Sequence, residues 1–144
     1  MIEEELFLWA LLVLLLALSG SFSASETALF RLSMNQRASA SQRVKDLLAN
    51  PRELLVSILL GNLVTNLLYF AFVTRLEAVG EGSLYSGAAV LAVLLLCGEI
   101  LPKTLALRAP ERVVRWTAPP LSLFVQLTRP LRRGVLSFLE FAER

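Results

Sequence analysis

Leu6-Phe7-Leu8-Trp9-Ala10-Leu11-Leu12-Val13-Leu14-Leu15-Leu16-Ala17-Leu18 is thirteen residues without a polar group. It runs directly into Ser19-Gly20-Ser21-Phe22-Ser23-Ala24-Ser25-Glu26 and then Thr27-Ala28-Leu29-Phe30. A helix needs ~20 residues to cross the hydrocarbon core of a bilayer. Residues 6–30 are long enough, although the second half is polar for a membrane span. A cleaved signal peptide would have a run of this length followed by small residues. It would also have a basic start, whereas here the run follows Glu3-Glu4-Glu5, so the stretch reads as a retained first span.

Two further apolar runs lie downstream. Residues 54–73 are apolar except for Ser57, Asn62, Thr65 and Asn66. Residues 84–101 are apolar up to Cys97 and then read Gly98-Glu99-Ile100-Leu101, with Pro102-Lys103 following. Pro102 is expected to kink or end that helix one turn after Glu99. The composition agrees with membrane spans. The chain has 144 residues, of which 56% are hydrophobic and 18% charged, and its mean hydropathy is +0.64. Disorder requires the opposite balance. The single cysteine, Cys97, excludes a disulfide framework and reads as a small packing residue. With no histidine, His-based triads and His-ligated zinc sites are excluded as well.

The basic residues orient the chain. Of 14 Lys and Arg, none precedes the first span, and five (Arg31, Arg37, Arg43, Lys45, Arg52) lie between the first and second spans. Only Arg75 lies between the second and third, and eight follow the third. A three-span chain therefore carries 13 of 14 on one side. The positive-inside rule places the amino terminus outside and the carboxyl terminus in the cytoplasm of a multi-pass cell (inner) membrane protein. An even number of spans would spoil this asymmetry.

Between the first two spans, Val44, Leu47 and Leu48 have helical spacing and imply a short cytoplasmic helix. The connection Thr74–Ser83, acidic with Gly80 and Gly82, reads as a short outer loop. The tail, residues 110–144, is divided into short pieces by Pro119-Pro120 and Pro130. In its last piece Leu131, Val135, Phe138, Leu139 and Ala142 recur at helical spacing, apart from Arg129, Arg133, Glu140 and Arg144. Such a helix beside a membrane is expected to lie in the interface. The alternative is packing on a cytoplasmic domain. The basic residues are juxtamembrane without aromatic interleaving, so nucleic acid is not an expected partner. The sequence thus predicts an all-α membrane protein. It has a transmembrane part, residues 1–109, with three transmembrane helices per protomer and short cytoplasmic-side helices, and a juxtamembrane amphipathic helical belt over residues 110–144.

Three polar clusters sit inside the spans: Ser19 to Glu26, Gly61-Asn62-Leu63-Val64-Thr65-Asn66, and Gly98 to Lys103. Ser21 and Ser25 are four apart and share a helix face, as do Asn62 and Asn66. Glu99 is the carboxylate of the third cluster. An acidic side chain near the bilayer centre costs roughly 2.5–3.5 kcal/mol on insertion scales, so an intramembrane carboxylate is a functional candidate by default. No Lys or Arg lies deep in the first two spans, and Lys103 can snorkel to the interface. The available partners are neutral oxygens, which with one carboxylate make a cage for a hard cation. Mg²⁺, Ca²⁺, Mn²⁺ and Na⁺ all suit oxygen ligands. Ser21, Ser25, Asn62, Asn66 and Glu99 supply five side-chain oxygens, and the Gly98 carbonyl or water completes a six-fold shell of the kind Mg²⁺ prefers. Ser19 and Ser23 read as helix-packing residues. Glu26, five residues before Arg31, suits ion pairing, the inner end of an ion pathway or a second ion. Gly61, Gly98 and Pro102 are places for backbone change. Gly61 and Gly87 permit close helix approach. Glu26 and Glu99 lack a nucleophile arrangement, so an enzyme is not expected.

Taken together and in order, Ser19–Leu29, Gly61–Asn66 and Gly98–Thr104 resemble the DUF21 transmembrane domain of the CorC and CNNM (cyclin M) magnesium transporters. The resemblance covers nearly the whole chain. It implies a homodimer of three-span protomers with a helical belt, and Mg²⁺ export coupled to Na⁺ entry. It also implies an ion held by Ser21, Ser25, Asn62, Asn66, Glu99 and the Gly98 carbonyl. Family members continue into an ATP-binding CBS module, which is absent from these 144 residues, so the expectation of ATP regulation does not extend to them. The expected function is a secondary transporter domain in the bilayer, working as a dimer because three spans make a thin wall. The rival is a membrane domain that binds Mg²⁺ as a sensor or scaffold without transporting it.

Overall fold

The computed structural model describes residues 2–35, 41–77 and 84–142. It is helical throughout these segments. Helix α1 spans Ile2–Asn35, α2 Gln42–Ala49, α3 Pro51–Glu77 and α4 Leu84–Val93. A π-helical segment, Leu94–Ile100, leads into α5 (Leu101–Arg108), and α6 (Pro110–Leu127) and α7 (Arg129–Ala142) complete the chain. Three stretches are long and apolar enough to cross a membrane: Leu6–Ser33, Pro51–Arg75 and Gly87–Arg108. The chain is an all-α membrane protein with three candidate spans, as its sequence predicts. Of the expected outer loop, residues 78–83 lie outside the described residues.

Prolines set several boundaries. Pro51 opens α3 and Pro110 opens α6, positions where a missing N–H has no intrahelical partner to lose. Of the two outcomes expected at Pro102, ending the helix does not occur, because the third span continues through α5 to Arg108. The preceding turns are wound as a π-helix, in which the Leu101 N–H bonds the Leu96 carbonyl five residues back. The wider turn lets the chain pass a residue that cannot donate.

The tail departs from expectation in one respect. Pro119 and Pro120 do not divide it, because both lie inside the continuous helix α6. Each removes one backbone bond, to residues 115 and 116. Both prolines and both of those residues are exposed, so the freed carbonyls face the surroundings. Pro130 sits in the first turn of α7. The short helix read from Val44, Leu47 and Leu48 is α2, and it buries those three residues.

Helix α1 is the spine, packing on α3, the π segment, α5 and α6. Two apolar clusters flank its middle. Toward its amino end, Leu12 and Leu15 pack with Tyr69, Val73 and Leu94. Toward its carboxyl end, Ala24, Ala28, Leu29 and Leu32 pack with α2, with Leu54 and Ile58 of α3, Ala106 of α5, and Val114, Ala118 and Leu121 of α6. The sequence between these clusters, residues 19–23 on α1 and 62–66 on α3, is the polar part of both spans. The apolar positions Leu131, Val135, Phe138 and Phe141 of α7 are exposed on the protomer.

Candidate ion site

The polar layer is built around Ser19. Its side chain is fully buried, and its hydroxyl lies 3.0 Å from Asn62 Oδ1 and 2.7 Å from Asn66 Oδ1, in position to donate to either. Asn62 and Asn66 are one turn apart on α3, which aims both amides at one point. The third span closes the group from the far side. A Cβ added to Gly98 would lie 3.0 Å from Ser19 Oγ, so only glycine lets the π segment approach this closely. One turn on, Ser23, also buried, donates to the Glu99 carbonyl at 3.4 Å. The geometry thus gathers Ser19, Ser23, Asn62, Asn66 and Gly98-Glu99 from three spans into one layer.

The electrostatics of this layer are acceptor-rich. Ser19 has a single proton and two amide oxygens within reach, so one oxygen is always without it. In an α-helical register the Gly98 carbonyl would accept from residue 102, which is proline and has no N–H. The half-buried Glu99 carboxylate makes no hydrogen bond or ion pair among the described residues. Nor do three acidic or cysteine side chains gather anywhere among the described residues. A cation here would rest on neutral oxygens with Glu99 as the charged ligand, a donor set that suits a hard ion.

Ser21 and Ser25 stand apart from this group. Ser21 is exposed and donates back to the Ala17 carbonyl at 2.7 Å. Ser25 is buried but donates to the Ser21 carbonyl at 2.6 Å. The reason is helical register: at about 100° per residue, Ser21 is roughly 200° round the helix from Ser19. Ser19 and Ser23 have the same four-residue spacing, and Ser19 meets α3 while Ser23 meets the π segment. Spacing does not choose between the two serine pairs. The phase of the buried stripe Leu12, Leu15, Ser19, Ser23 does, but it is invisible in a run that is apolar on every side.

Two other candidates have definite places. Glu26 pairs with Lys103 at 3.8 Å. The pair sits about one turn beyond Ser23 and Glu99, toward the basic end of the spans. Gly61 lies within an unbroken α3, where an added Cβ would come within 2.6 Å of the Phe22 ring and 3.0 Å of Phe124. Phe22 and Phe124 meet edge-to-face with centroids 4.9 Å apart, so Gly61 is the socket that lets α1 and α6 close on α3.

Against known proteins, the family model described as the Cyclin M transmembrane N-terminal domain matches residues 10–142. The chain belongs to the cyclin M transmembrane domain family. It is also 32% identical over 106 residues to the UPF0053 inner membrane protein YfjD of Escherichia coli (strain K12). That match covers 67% of this chain and 25% of YfjD, so the chain spans about a quarter of its relative's length. The family-model match, residues 10–142, runs from within the first span through α7, so it includes α6 and α7 as well as the bundle.

Proposed function

We propose that this cyclin M domain carries Mg²⁺ out of the cytoplasm of an inner-membrane cell boundary, driven by Na⁺ entry, as a homodimer. The observation that carries the reading is the convergence of Ser19, Asn62, Asn66 and the Gly98-Glu99 turn between two apolar clusters. In this proposal the cargo ion is held by the oxygens of Ser19, Ser23, Asn62, Asn66, Glu99 and the Gly98 carbonyl. Six oxygens match the preference of Mg²⁺. In this proposal Ser19 and Ser23 take the place of Ser21 and Ser25, because the former pair meets α3 and the π segment while the latter bonds within α1.

Removing water from Mg²⁺ is costly, and helix-borne ligands on two spans supply fixed geometry in return. Release requires a second state with lower affinity, because a ligand cannot drive an equilibrium between states it binds equally. The π segment is the natural place for that change, since it carries Glu99 and Gly98 and already departs from α-helical register. The Glu26–Lys103 pair lies between the site and the basic end of the bundle. In the proposed cycle it opens as Mg²⁺ enters from the cytoplasm.

The test is flux. Protein is reconstituted in liposomes with a trapped Mg²⁺ indicator and an opposed Na⁺ gradient. Mg²⁺ movement that follows the Na⁺ gradient and disappears in Glu99→Ala is the expected result. Mg²⁺ movement indifferent to Na⁺ would remove the coupling, and wild-type liposomes no leakier than empty ones would remove transport itself.

A further inference from the structure

Two cavities meet at Arg112. The first, about 570 Å³, is an open apolar groove along the bundle wall, lined by Val13, Ala17, Gly20, Pro102, Leu105 and Trp116 among others, with Arg112 also in its lining. Its volume is within the ~300–1,000 Å³ usual for small-molecule sites. The second, about 620 Å³, lies at the corner between α5 and α6 and is lined by Arg31, Arg108 and Arg112 with Glu111. Three guanidiniums against one carboxylate leave this corner cationic. Arg31 is held in place by donating to the Leu107 carbonyl at the end of α5, where a cation also complements the helix dipole.

The two halves differ in the way a phospholipid differs from end to end. The groove runs beside spans α1 and α5 at the depth of the hydrocarbon. The arginine corner sits where the third span ends and the belt begins, which is the headgroup level. Basic pockets between spans on the cytoplasmic side are suited to anionic headgroups, and guanidinium forks match phosphate oxygens.

We infer that this continuous groove and corner form a site for one anionic phospholipid, with its phosphate among Arg31, Arg108 and Arg112 and an acyl chain along Ala17, Gly20, Pro102 and Trp116. The lipid would tie the α5–α6 corner to the first span at the level where the belt leaves the membrane.

Trp9 and Trp116 are the two tryptophans. Trp9→Phe therefore leaves Trp116, 81% exposed on the protomer and in the groove wall, as the reporter. The full chain is reconstituted in phosphatidylcholine vesicles containing phosphatidylglycerol, with bromine on the acyl chains of one lipid at a time. Brominated phosphatidylglycerol should quench Trp116 with a relative association ~5-fold or more above brominated phosphatidylcholine, the order of effect of a basic residue at an anionic surface. Arg108→Gln with Arg112→Gln should bring the preference to about one. Arg129→Gln with Arg133→Gln, an equal loss of charge on α7, should leave it. Ala17→Phe, which fills the groove with the arginines intact, should reduce quenching by both lipids, and it serves as the test if the double arginine variant does not fold. Equal quenching by both lipids, or an equal loss in the α7 variant, would overturn the site. Suppression by millimolar glycerol phosphate would assign the corner to a soluble phosphate and overturn the lipid. Trp116 shielded from both brominated lipids, and exposed on dilution of the protein in the membrane, would mean that a second copy covers the groove.

Discussion

The two halves of α1 are built on opposite plans. In the amino-terminal half the run from Leu6 to Leu18 is uniformly apolar, and much of it faces outward: Phe7, Val13 and Leu14 are all largely exposed, with Val13 at 66%. In the second half, small and polar residues are inside: Ser19, Ser23, Ser25 and Ala28 are all buried, beside Leu29. In water this arrangement would be inverted. In a bilayer, lipid is as apolar as leucine, so a buried leucine contributes through packing and not through escape from water. Close packing and polar satisfaction decide which side of the helix turns inward. The candidate site is formed where α1 turns Ser19 and Ser23 inward.

The largest test of this contrast is one truncation made in both halves. Leu29→Ala, in the cluster joining α1, α2, α3, α5 and α6, leaves a cavity among packed neighbours and should cost about 2–5 kcal/mol. Leu14→Ala, exposed in the first half, should stay within about 0.5 kcal/mol. Both are read from thermal or denaturant unfolding in detergent. Equal losses would mean that the first half is packed against protein. Next in size, Gly61→Ala should cost about 1–3 kcal/mol, because Phe22 must leave its seat against Phe124. Phe22→Leu in the same chain should recover part of that loss, and no recovery would separate Gly61 from this packing. The smallest effect is expected at Glu26 and Lys103. The pair is long and partly exposed, so Glu26→Gln should change stability by less than about 1 kcal/mol and be insensitive to added salt once made. A larger loss would place the pair deeper than its exposure suggests.

Much of the fold was legible because its signals are coarse. Three apolar runs and the spacing of Val44, Leu47 and Leu48 each determine one feature whatever the details of packing. Boundaries were less legible where prolines are involved. Pro102 and Pro119-Pro120 read as breaks by local rules, yet the chain passes the first with π-helical turns and the second with exposed carbonyls. In the candidate site, Asn62, Asn66 and the Gly98-Glu99 turn stand out in the sequence, because amides and a carboxylate in a span demand a reason. That the Ser19 hydroxyl meets both asparagines does not, since a serine in a membrane helix is ordinarily packing. Which serine faces the asparagines depends on how α1 is rotated against α3. Rotation is a property of the packed bundle, which a run of leucines on all sides does not encode.

The central claim is that the ion is held on the Ser19 face of α1. It is tested most directly by calorimetric titration of Mg²⁺ into purified protein carrying Ser19→Ala, Ser21→Ala or Glu99→Ala, with Na⁺ replaced by a large organic cation. The account predicts saturable binding in wild type, retained within about twofold in Ser21→Ala, where the hydroxyl bonds only its own helix. It predicts binding weakened at least tenfold in Ser19→Ala and lost in Glu99→Ala. Binding that survives Ser19→Ala and fails in Ser21→Ala would put the ion on the other side of α1 and contradict the site.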